Sequence, residues 1–301
     1  MSDGQAPRAS LAFIALLAGA VAISFAPILV RLADVSPVAS AFWRVALAAP
    51  VLWLWMLMTP SRAQHAAADN QAQMQARTRK YAPAVFAGIF FACDLGVWHV
   101  AITWTSVANA ALEANFAPVF VTLGAWLLWR QRPTGLFLLA LALTLGGAVL
   151  LIGPNFHASG PAFKGDLLGV LTAVFYAGYM LSIKLASTQL GTARLMTIST
   201  SITALALLPF ALADSERFLP QSAYGWAVLA GMALIAQVAG QSLIAYAFAR
   251  LPAAMSSVSL VLQPVLAAVF AWILLGESMT PLQMAGGVVV LIGIVLAKRS
   301  G

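Results

Sequence analysis

The chain has 301 residues, of which 62% are hydrophobic and only 8% are charged, and its formal net charge at pH 7 is +7. A soluble globule of this length needs more polar side chains to cover its surface, so the composition excludes a soluble protein and indicates a chain that folds in lipid. The sixteen Lys and Arg residues are scattered between apolar runs rather than gathered beside aromatic residues, which argues against a nucleic-acid partner.

Ten apolar runs follow one another along the chain, each of about the 20 residues that cross a hydrocarbon layer of about 30 Å. They lack the alternating pattern of a membrane barrel strand, so they predict an all-α polytopic protein with ten transmembrane helices. In chain order, the predicted spans are 10–33, 37–58, 82–103, 107–129, 135–153, 166–187, 191–212, 224–249, 253–275 and 281–297.

The first run imitates a signal peptide, because Arg8 precedes it and small residues follow Leu17. The run continues to Val30, and this length predicts a first span that stays in the mature protein. The one long link, residues 59–80, is polar and ends in the basic cluster 77–80. We interpret it as a mobile cytoplasmic loop with room for a short helix.

The distribution of Lys and Arg predicts the orientation of the chain. Arg31, Lys164 and Arg217 fall on one side and Arg44 lies inside a span, whereas the remaining twelve fall on the side of the two termini and the 59–80 loop. The positive-inside rule therefore predicts that both termini are cytoplasmic.

An internal repeat divides the chain into two halves. The segment VANAALEANFAPVFVTLGAWLLW from Val107 matches AAMSSVSLVLQPVLAAVFAWILL from Ala253 at an offset of 146 residues, and a weaker match aligns 23–33 with 176–186. The first register aligns Pro118 with Pro264, Trp126 with Trp272 and Gly147 with Gly293. A second register, which aligns the Gly-Gly pair 146–147 with 286–287, is also open.

Five spans per half is an odd number, so the second half is expected to enter the membrane in the opposite orientation. The sequence therefore predicts two inverted five-helix repeats, residues 1–153 and 154–301. Inverted repeats create an interface that opens to either side about a site near the midplane, which makes transport the leading functional class.

Two stretches carry a resemblance to a known family: FFACDLGVWHVAITWTSVANAALEANFAPVFVTLGAWLLW and QPVLAAVFAWILLGESMTPLQMAGGVVVLIGIVLAKR. They resemble the EamA-type exporters of the drug/metabolite transporter superfamily, and among them the bacterial exporters of aromatic and other amino acids known as YddG. Arg44 and the hairpin with Gly276, Glu277 and Pro281 also fit, whereas the first-half hairpin, RQRPTG, lacks the glutamate. The resemblance implies an inner-membrane secondary exporter of amino acids or related small metabolites.

Ionisable side chains inside spans are the sharpest functional signal, because a charge at a helix centre costs about 2.5–3.5 kcal/mol on insertion scales. Asp94 and Trp98 share one face of span three, and Asn109 and Glu113 are likewise four residues apart in span four, so both stripes are expected to line one cavity. Together with the resemblance, they predict that spans one, three and four face spans six, eight and nine. The candidate substrate-binding residues are Asp94, Trp98, His99, Trp104, Asn109, Glu113, Tyr176, Tyr179, Gln237, Gln241 and Tyr246.

Structural roles stay open for several of these residues. Asp94 could form a structural ion pair with Arg44, Glu113 could interact with a helix dipole, and His99 could donate to a backbone carbonyl. The tyrosines and glutamines could join helices instead of binding substrate. Pro118 and Pro264 are predicted to bend spans four and nine at equivalent depths.

No motif indicates an enzyme, because the chain has no phosphate-cradling loop, no HExxH pair and no set of nucleophile, base and acid. Its single cysteine, Cys93, excludes an internal disulfide framework and a cysteine-rich metal site. We expect no cofactor and no metal; the expected partners are the lipid bilayer and a small molecule, for a monomer or homodimer. A drug or nucleotide-sugar carrier of the same superfamily and a membrane enzyme or lipid-handling protein remain as alternatives.

Overall fold

The computed structural model describes residues 6–59, 70–104, 115–152, 162–213, 217–276 and 278–300. These residues form helical segments that follow the ten predicted spans in order, and we number them by span. The helices are α1 (Ala6–Ser24 and Ala26–Leu32), α2 (Pro37–Met58), α3 (Asn70–Trp104), α4 (Ala117–Trp129), α5 (Gly135–Ile152), α6 (Ala162–Ala186), α7 (Thr192–Ala213), α8 (Ala223–Gly231, a π-helical Met232–Gln241 and Ser242–Phe248), α9 (Ala253–Leu260 and Leu262–Leu275) and α10 (Pro281–Ser300).

The outside of the bundle is apolar. Within the described ranges, eight spans are long and apolar enough to cross a membrane, while the described parts of α4 and α5 are shorter apolar helices. Large apolar side chains point outwards, for example Leu57 and Met58, which are both 74% exposed. Small residues occupy many interior positions, as expected where helices approach closely in lipid. The prediction of an all-α, polytopic, two-part fold is confirmed.

Helix α3 begins at Asn70, twelve residues before the predicted start of the third span. Residues 70–80 are polar but rich in Gln, Ala, Met, Arg and Lys, which have high helix propensity, so the helix continues beyond the apolar run. The link between α2 and α3 is therefore helical from residue 70, and residues 60–69 lie outside the described ranges.

The helices of the two halves pack against each other symmetrically: each major contact between a first-half helix and a second-half helix has an equivalent contact between the corresponding helices of the other half. Helix α3 packs on α6 and α1 packs on α8, while α2 pairs with α7, α4 with α9 and α5 with α10. Helices α5 and α10 approach closely: a Cβ on Gly147 would lie 2.7 Å from the carbonyl oxygen of Gly286, and one on Gly293 would lie 2.9 Å from that of Ala140. At an offset of 146 residues, Gly147 corresponds to Gly293 and Ala140 corresponds to Gly286, so the two contacts are equivalent. The packing therefore favours the register that aligns Gly147 with Gly293.

The links between helices lie at two opposite ends of the bundle. The link between α1 and α2 contacts the link between α7 and α8: Ser222 donates to Asp34 at 3.0 Å, and the backbone N–H of Ser36 donates to the Arg217 carbonyl at 3.0 Å. The link between α6 and α7 lies at the other end of α2, beside Trp55. The link between α1 and α2 and the link between α6 and α7 occupy equivalent places in the repeat, and they therefore lie at opposite ends of the bundle.

Candidate functional site

Two spans contain a one-residue break in the helical hydrogen-bond pattern. Helix α1 is interrupted at Phe25 and α9 at Val261, where the backbone dihedrals remain in the helical region, and Asn115 and Phe116 form a turn directly before α4. The Ser24 hydroxyl donates to the Ala20 carbonyl of its own helix at 2.6 Å and lies 3.1 Å from the Gln263 carbonyl oxygen, so α1 contacts α9 beside this break. Discontinuous helices in transporters leave backbone groups and helix ends at the substrate path, which makes this the first place to look for a site.

Prolines follow these breaks. Pro27 and Pro118 are in the first turn of their segments, and Pro264 is the third residue of the second α9 segment. Proline is tolerated in a first helical turn because the amide hydrogen that it lacks has no partner there. Pro118 and Pro264 thus occupy equivalent positions, although the bend predicted for span four involves residues 105–114, which lie outside the described part.

A cavity of about 270 Å³ lies beside the broken helices. Its lining comes from both halves: α1, α3 and the turn before α4 on one side, α6, α8 and α9 on the other, with α2 in addition to the expected spans. This volume is below the roughly 300–1,000 Å³ of pockets for drug-sized ligands, so it suits a small metabolite. Most of the lining is apolar; its polar members are Ser24, Ser40, Arg44, Asp94, Asn115, Thr172, Tyr176 and Gln263.

Arg44 and Asp94 are ionisable side chains of opposite sign on two walls of the cavity. Both are buried, with exposed fractions of 9% and 8%. Among the described residues no salt bridge joins them, and the Arg44 Nε donates to Oε1 of Gln237 at 3.0 Å. The structural ion pair that the sequence left open is therefore not formed.

Gln237 holds Arg44 in place from the π-helical segment of α8. Its Oε1 accepts from Arg44, and its Nε2 donates to the Thr200 hydroxyl at 3.2 Å. The Phe91 ring lies 5.8 Å from the guanidinium carbon on another side. Gln237 is 1% exposed and is not part of the cavity lining, so it positions Arg44 rather than facing the cavity itself. π-Helical segments are frequent at functional sites.

Three other predicted residues are engaged elsewhere in the bundle. The Tyr179 hydroxyl donates to Oε1 of Gln241 at 3.1 Å, and the Tyr179 ring stacks on Phe91 with 4.6 Å between centroids. Tyr246 lies under the guanidinium of Arg250, 3.6 Å from its ring centroid. None of these three predicted residues lines the cavity; the Tyr179–Gln241 and Tyr179–Phe91 contacts join helices, whereas the Tyr246–Arg250 contact is local to the end of α8.

The remaining predicted residues divide between the cavity and the undescribed part. Asp94, Trp98 and Tyr176 line the cavity together. His99 and Trp104 belong to helix α3 by their backbone, while their side chains lie outside the described part. Asn109 and Glu113 also lie outside the described residues.

Sequence reasoning missed several polar residues of the lining, above all Thr172 and Gln263. Neither is ionisable, so the search for charges inside spans passed over them. One signal was present: in the repeat register, Gln263 aligns with Ala117, so a polar residue stands in span nine where the first half has an apolar one. In the described ranges, no cluster of three His, Cys, Asp or Glu side chains could hold a metal ion.

Comparison with known proteins gives one family and several relatives. The profile of the EamA-like transporter family matches residues 10–153 and again residues 163–299. The pseudopaline exporter CntI of Pseudomonas aeruginosa (strain UCBPP-PA14) is 26% identical over 214 residues, which cover 71% of this chain and 73% of that protein. An uncharacterized transporter of Archaeoglobus fulgidus is 27% identical over 199 residues, covering 66% and 70%. A solved crystal structure shares the fold, with a TM-score of 0.77, 15% identity and 98% of each chain covered.

Proposed function

The chain belongs to the EamA-like transporter family, and on this premise we propose that it is a secondary transporter that exports amino acids, chiefly aromatic and other neutral ones. Family membership makes it a multi-pass membrane transporter and not an enzyme. One observation carries the choice of substrate: a buried cation, Arg44, and a buried carboxylate, Asp94, line the same cavity without a direct ion pair.

A zwitterion fits this arrangement for electrostatic reasons. A buried charge in a membrane protein needs a partner, and the carboxylate and ammonium of an amino acid supply partners of both signs in one molecule. The rest of the lining is largely apolar and includes the indole of Trp98 and the ring of Pro27, which suit an apolar or aromatic substrate side chain. We therefore place the ammonium at Asp94 and the substrate side chain towards Trp98.

A nucleotide sugar fits less well. Its two phosphate charges call for several cationic donors, whereas the described lining offers the single guanidinium of Arg44 together with a carboxylate that repels phosphate. Export, rather than uptake, is supported by the similarity to the pseudopaline exporter.

The transport mechanism that we propose is alternating access between two inverted repeats, residues 1–153 and 154–301. The support is threefold: the broken helices at the cavity, the helix pairing that survives exchange of the halves, and the equivalent links at opposite ends of α2. We also propose that both termini are cytoplasmic, which the excess of Lys and Arg on their side supports, and that the membrane is a bacterial-type inner membrane, which the similarity to a bacterial exporter supports.

Transport by purified protein in liposomes tests the proposal. The panel consists of amino acids, aromatic amines and nucleotide sugars, each measured with and without a pH gradient. We expect amino-acid flux above empty liposomes; its absence would overturn the proposed function. Asp94→Asn and Trp98→Ala should each reduce this flux at least tenfold while the protein still elutes as a folded species. Normal flux in both variants would remove the span-three residues from the site.

A further inference from the structure

We infer that Arg44, Thr172 and Gln263 form a carboxylate subsite, which selects substrates with a free carboxylate and places that group between the two halves of the protein. The inference rests on the proposed function and specifies how the substrate is recognised. The three side chains come from α2, α6 and α9, and all three line the central cavity.

The first argument is that each side chain has a buried polar atom without a partner. These atoms are Nη2 of Arg44, Oγ1 of Thr172 and Nε2 of Gln263. Desolvated donors without acceptors are costly, and such groups are nearly always paired in folded proteins. The two nitrogens are donors only and the Thr172 hydroxyl can also donate, so an acceptor in the ligand satisfies all three, and the positive charge of Arg44 favours an anionic one. A carboxylate offers two oxygens with four lone pairs.

The second argument is that Arg44 is held ready for such a ligand. Gln237 occupies its Nε, and Gln237 is itself fixed by the Thr200 hydroxyl. The guanidinium is thereby oriented through one nitrogen while Nη2 remains unpaired. Guanidinium groups recognise carboxylates through planar, charge-assisted hydrogen bonds, which are stronger than bonds between neutral groups.

The third argument is the position of Asp94, which supplies the opposite charge on the same cavity. It makes the subsite selective: a lone carboxylic acid would leave Asp94 without a partner, and a lone amine would leave Arg44 without one. The three atoms are buried in this conformation, so the ligand reaches them only after Thr172 and Gln263 rotate towards the cavity and Nη2 of Arg44 is uncovered, while Nε of Arg44 keeps its bond to Gln237. Because Arg44 belongs to the first half and Thr172 and Gln263 to the second, the bound carboxylate connects the halves.

Four probes that differ in a single charged group test the subsite in liposomes. They are L-phenylalanine, L-phenylalaninamide, 2-phenylethylamine and 3-phenylpropionate. We expect L-phenylalanine to be transported, and each of the other three to compete with it at least tenfold more weakly. If 2-phenylethylamine or the amide competed as strongly as unlabelled L-phenylalanine, the inferred carboxylate subsite would be wrong, whereas the proposal of amino-acid export would be unaffected. Absence of flux for every amino acid would overturn both proposals.

Substitutions then assign the effect to the three residues. Thr172→Val and Gln263→Leu should each raise the apparent Kd for L-phenylalanine threefold to tenfold, and Arg44→Gln more than tenfold. None of the three should weaken the low-affinity competition by 2-phenylethylamine, because that probe has no carboxylate to lose. If a substitution weakened L-phenylalanine binding and 2-phenylethylamine competition equally, it would contradict the inference, because it would indicate a general distortion of the cavity.

Ser256→Ala is the matched control. Its hydroxyl is also buried and without a partner, but it lies in the first segment of α9 and not in the cavity lining. Transport of L-phenylalanine by this variant should match the parent protein. If Arg44→Gln does not fold, Arg44→Lys keeps the charge and loses the planar donors, and it should still lose affinity for L-phenylalanine but not for the amine.

Discussion

Gly146 and Gly147 are neighbours in α5 with opposite surroundings, and together they test how the bundle is packed. A Cβ on Gly147 would lie 2.7 Å from backbone atoms of α10, whereas one on Gly146 would meet nothing within 4 Å. We expect Gly147→Ala to lower the free energy of unfolding by about 1–3 kcal/mol, because the two helix backbones must separate. Gly146→Ala should be neutral or stabilising by up to about 1 kcal/mol, since Ala has the higher helix propensity. Denaturant unfolding in detergent measures both, and equal effects would contradict the close α5–α10 contact.

Two glutamines of α8, four residues apart, illustrate what a residue type alone leaves undecided. Gln237 bonds the charged Arg44, and Gln241 bonds the neutral Tyr179. Gln237→Leu should cost about 1–3 kcal/mol of stability, because it leaves the Arg44 Nε buried without an acceptor. It should also raise the apparent Kd for substrate severalfold. Gln241→Leu should lower the melting temperature without changing substrate affinity. If Gln241→Leu weakened binding as much as Gln237→Leu, Gln241 would belong to the site after all.

The candidate site was only partly predictable at this scale. Asp94 was identified because a carboxylate inside a span is expensive in lipid, and Trp98 because it shares a helical face with Asp94. Thr172 and Gln263 gave a weaker signal, since neutral polar residues are common between membrane helices. Which of the polar residues meet at one cavity depends on contacts between spans that are far apart in sequence.

The spans themselves were the most predictable elements, because a helix is the only structure that satisfies every backbone group of a continuous apolar run in lipid. The positions of the breaks within α1 and α9 were less predictable from the sequence. A proline permits an interruption without requiring it: α1 and α9 are interrupted close to Pro27 and Pro264, whereas α2 and α7 continue through Pro50 and Pro209. The π-helical segment of α8 follows no pattern of residue types that could have been recognised in advance.

Pro118 and Pro264, which align in the repeat, are predicted to matter for transport. Pro118→Ala and Pro264→Ala restore an amide donor near the start of a helical segment, which should favour a longer continuous helix and slow the movement of the halves. We expect each to reduce the initial transport rate severalfold, with little loss of stability. Pro50→Ala and Pro209→Ala are the controls, since these prolines lie inside uninterrupted helices. Unchanged initial transport rates in both Pro118→Ala and Pro264→Ala would contradict a role for these prolines.

For the molecule as a whole, the sequence revealed the repeat but not the way its halves combine. The offset of 146 residues follows from matching segments, yet two registers were open until the α5–α10 contact favoured one. The contacts of α3 with α6 and of α1 with α8 join helices of different halves, so the sequence of one half alone does not predict them. It reflects the burial of small residues between helices that are distant in sequence, for example Gly178 of α6 against the Phe90 ring of α3.

The opposite orientation of the halves can be tested with two single cysteines in a Cys93→Ser background. Asp34, in the link between α1 and α2, accepts a hydrogen bond from the backbone of Gln221, so Gln221 reports the face of that link. Gln189 lies in the link between α6 and α7, its equivalent in the second half. Both side chains are exposed, and an impermeant thiol reagent should reach Gln221→Cys in intact cells but Gln189→Cys only after permeabilisation. Labelling of both from one face would mean that the halves are parallel, and a site that opens alternately to the two sides would lose its structural basis.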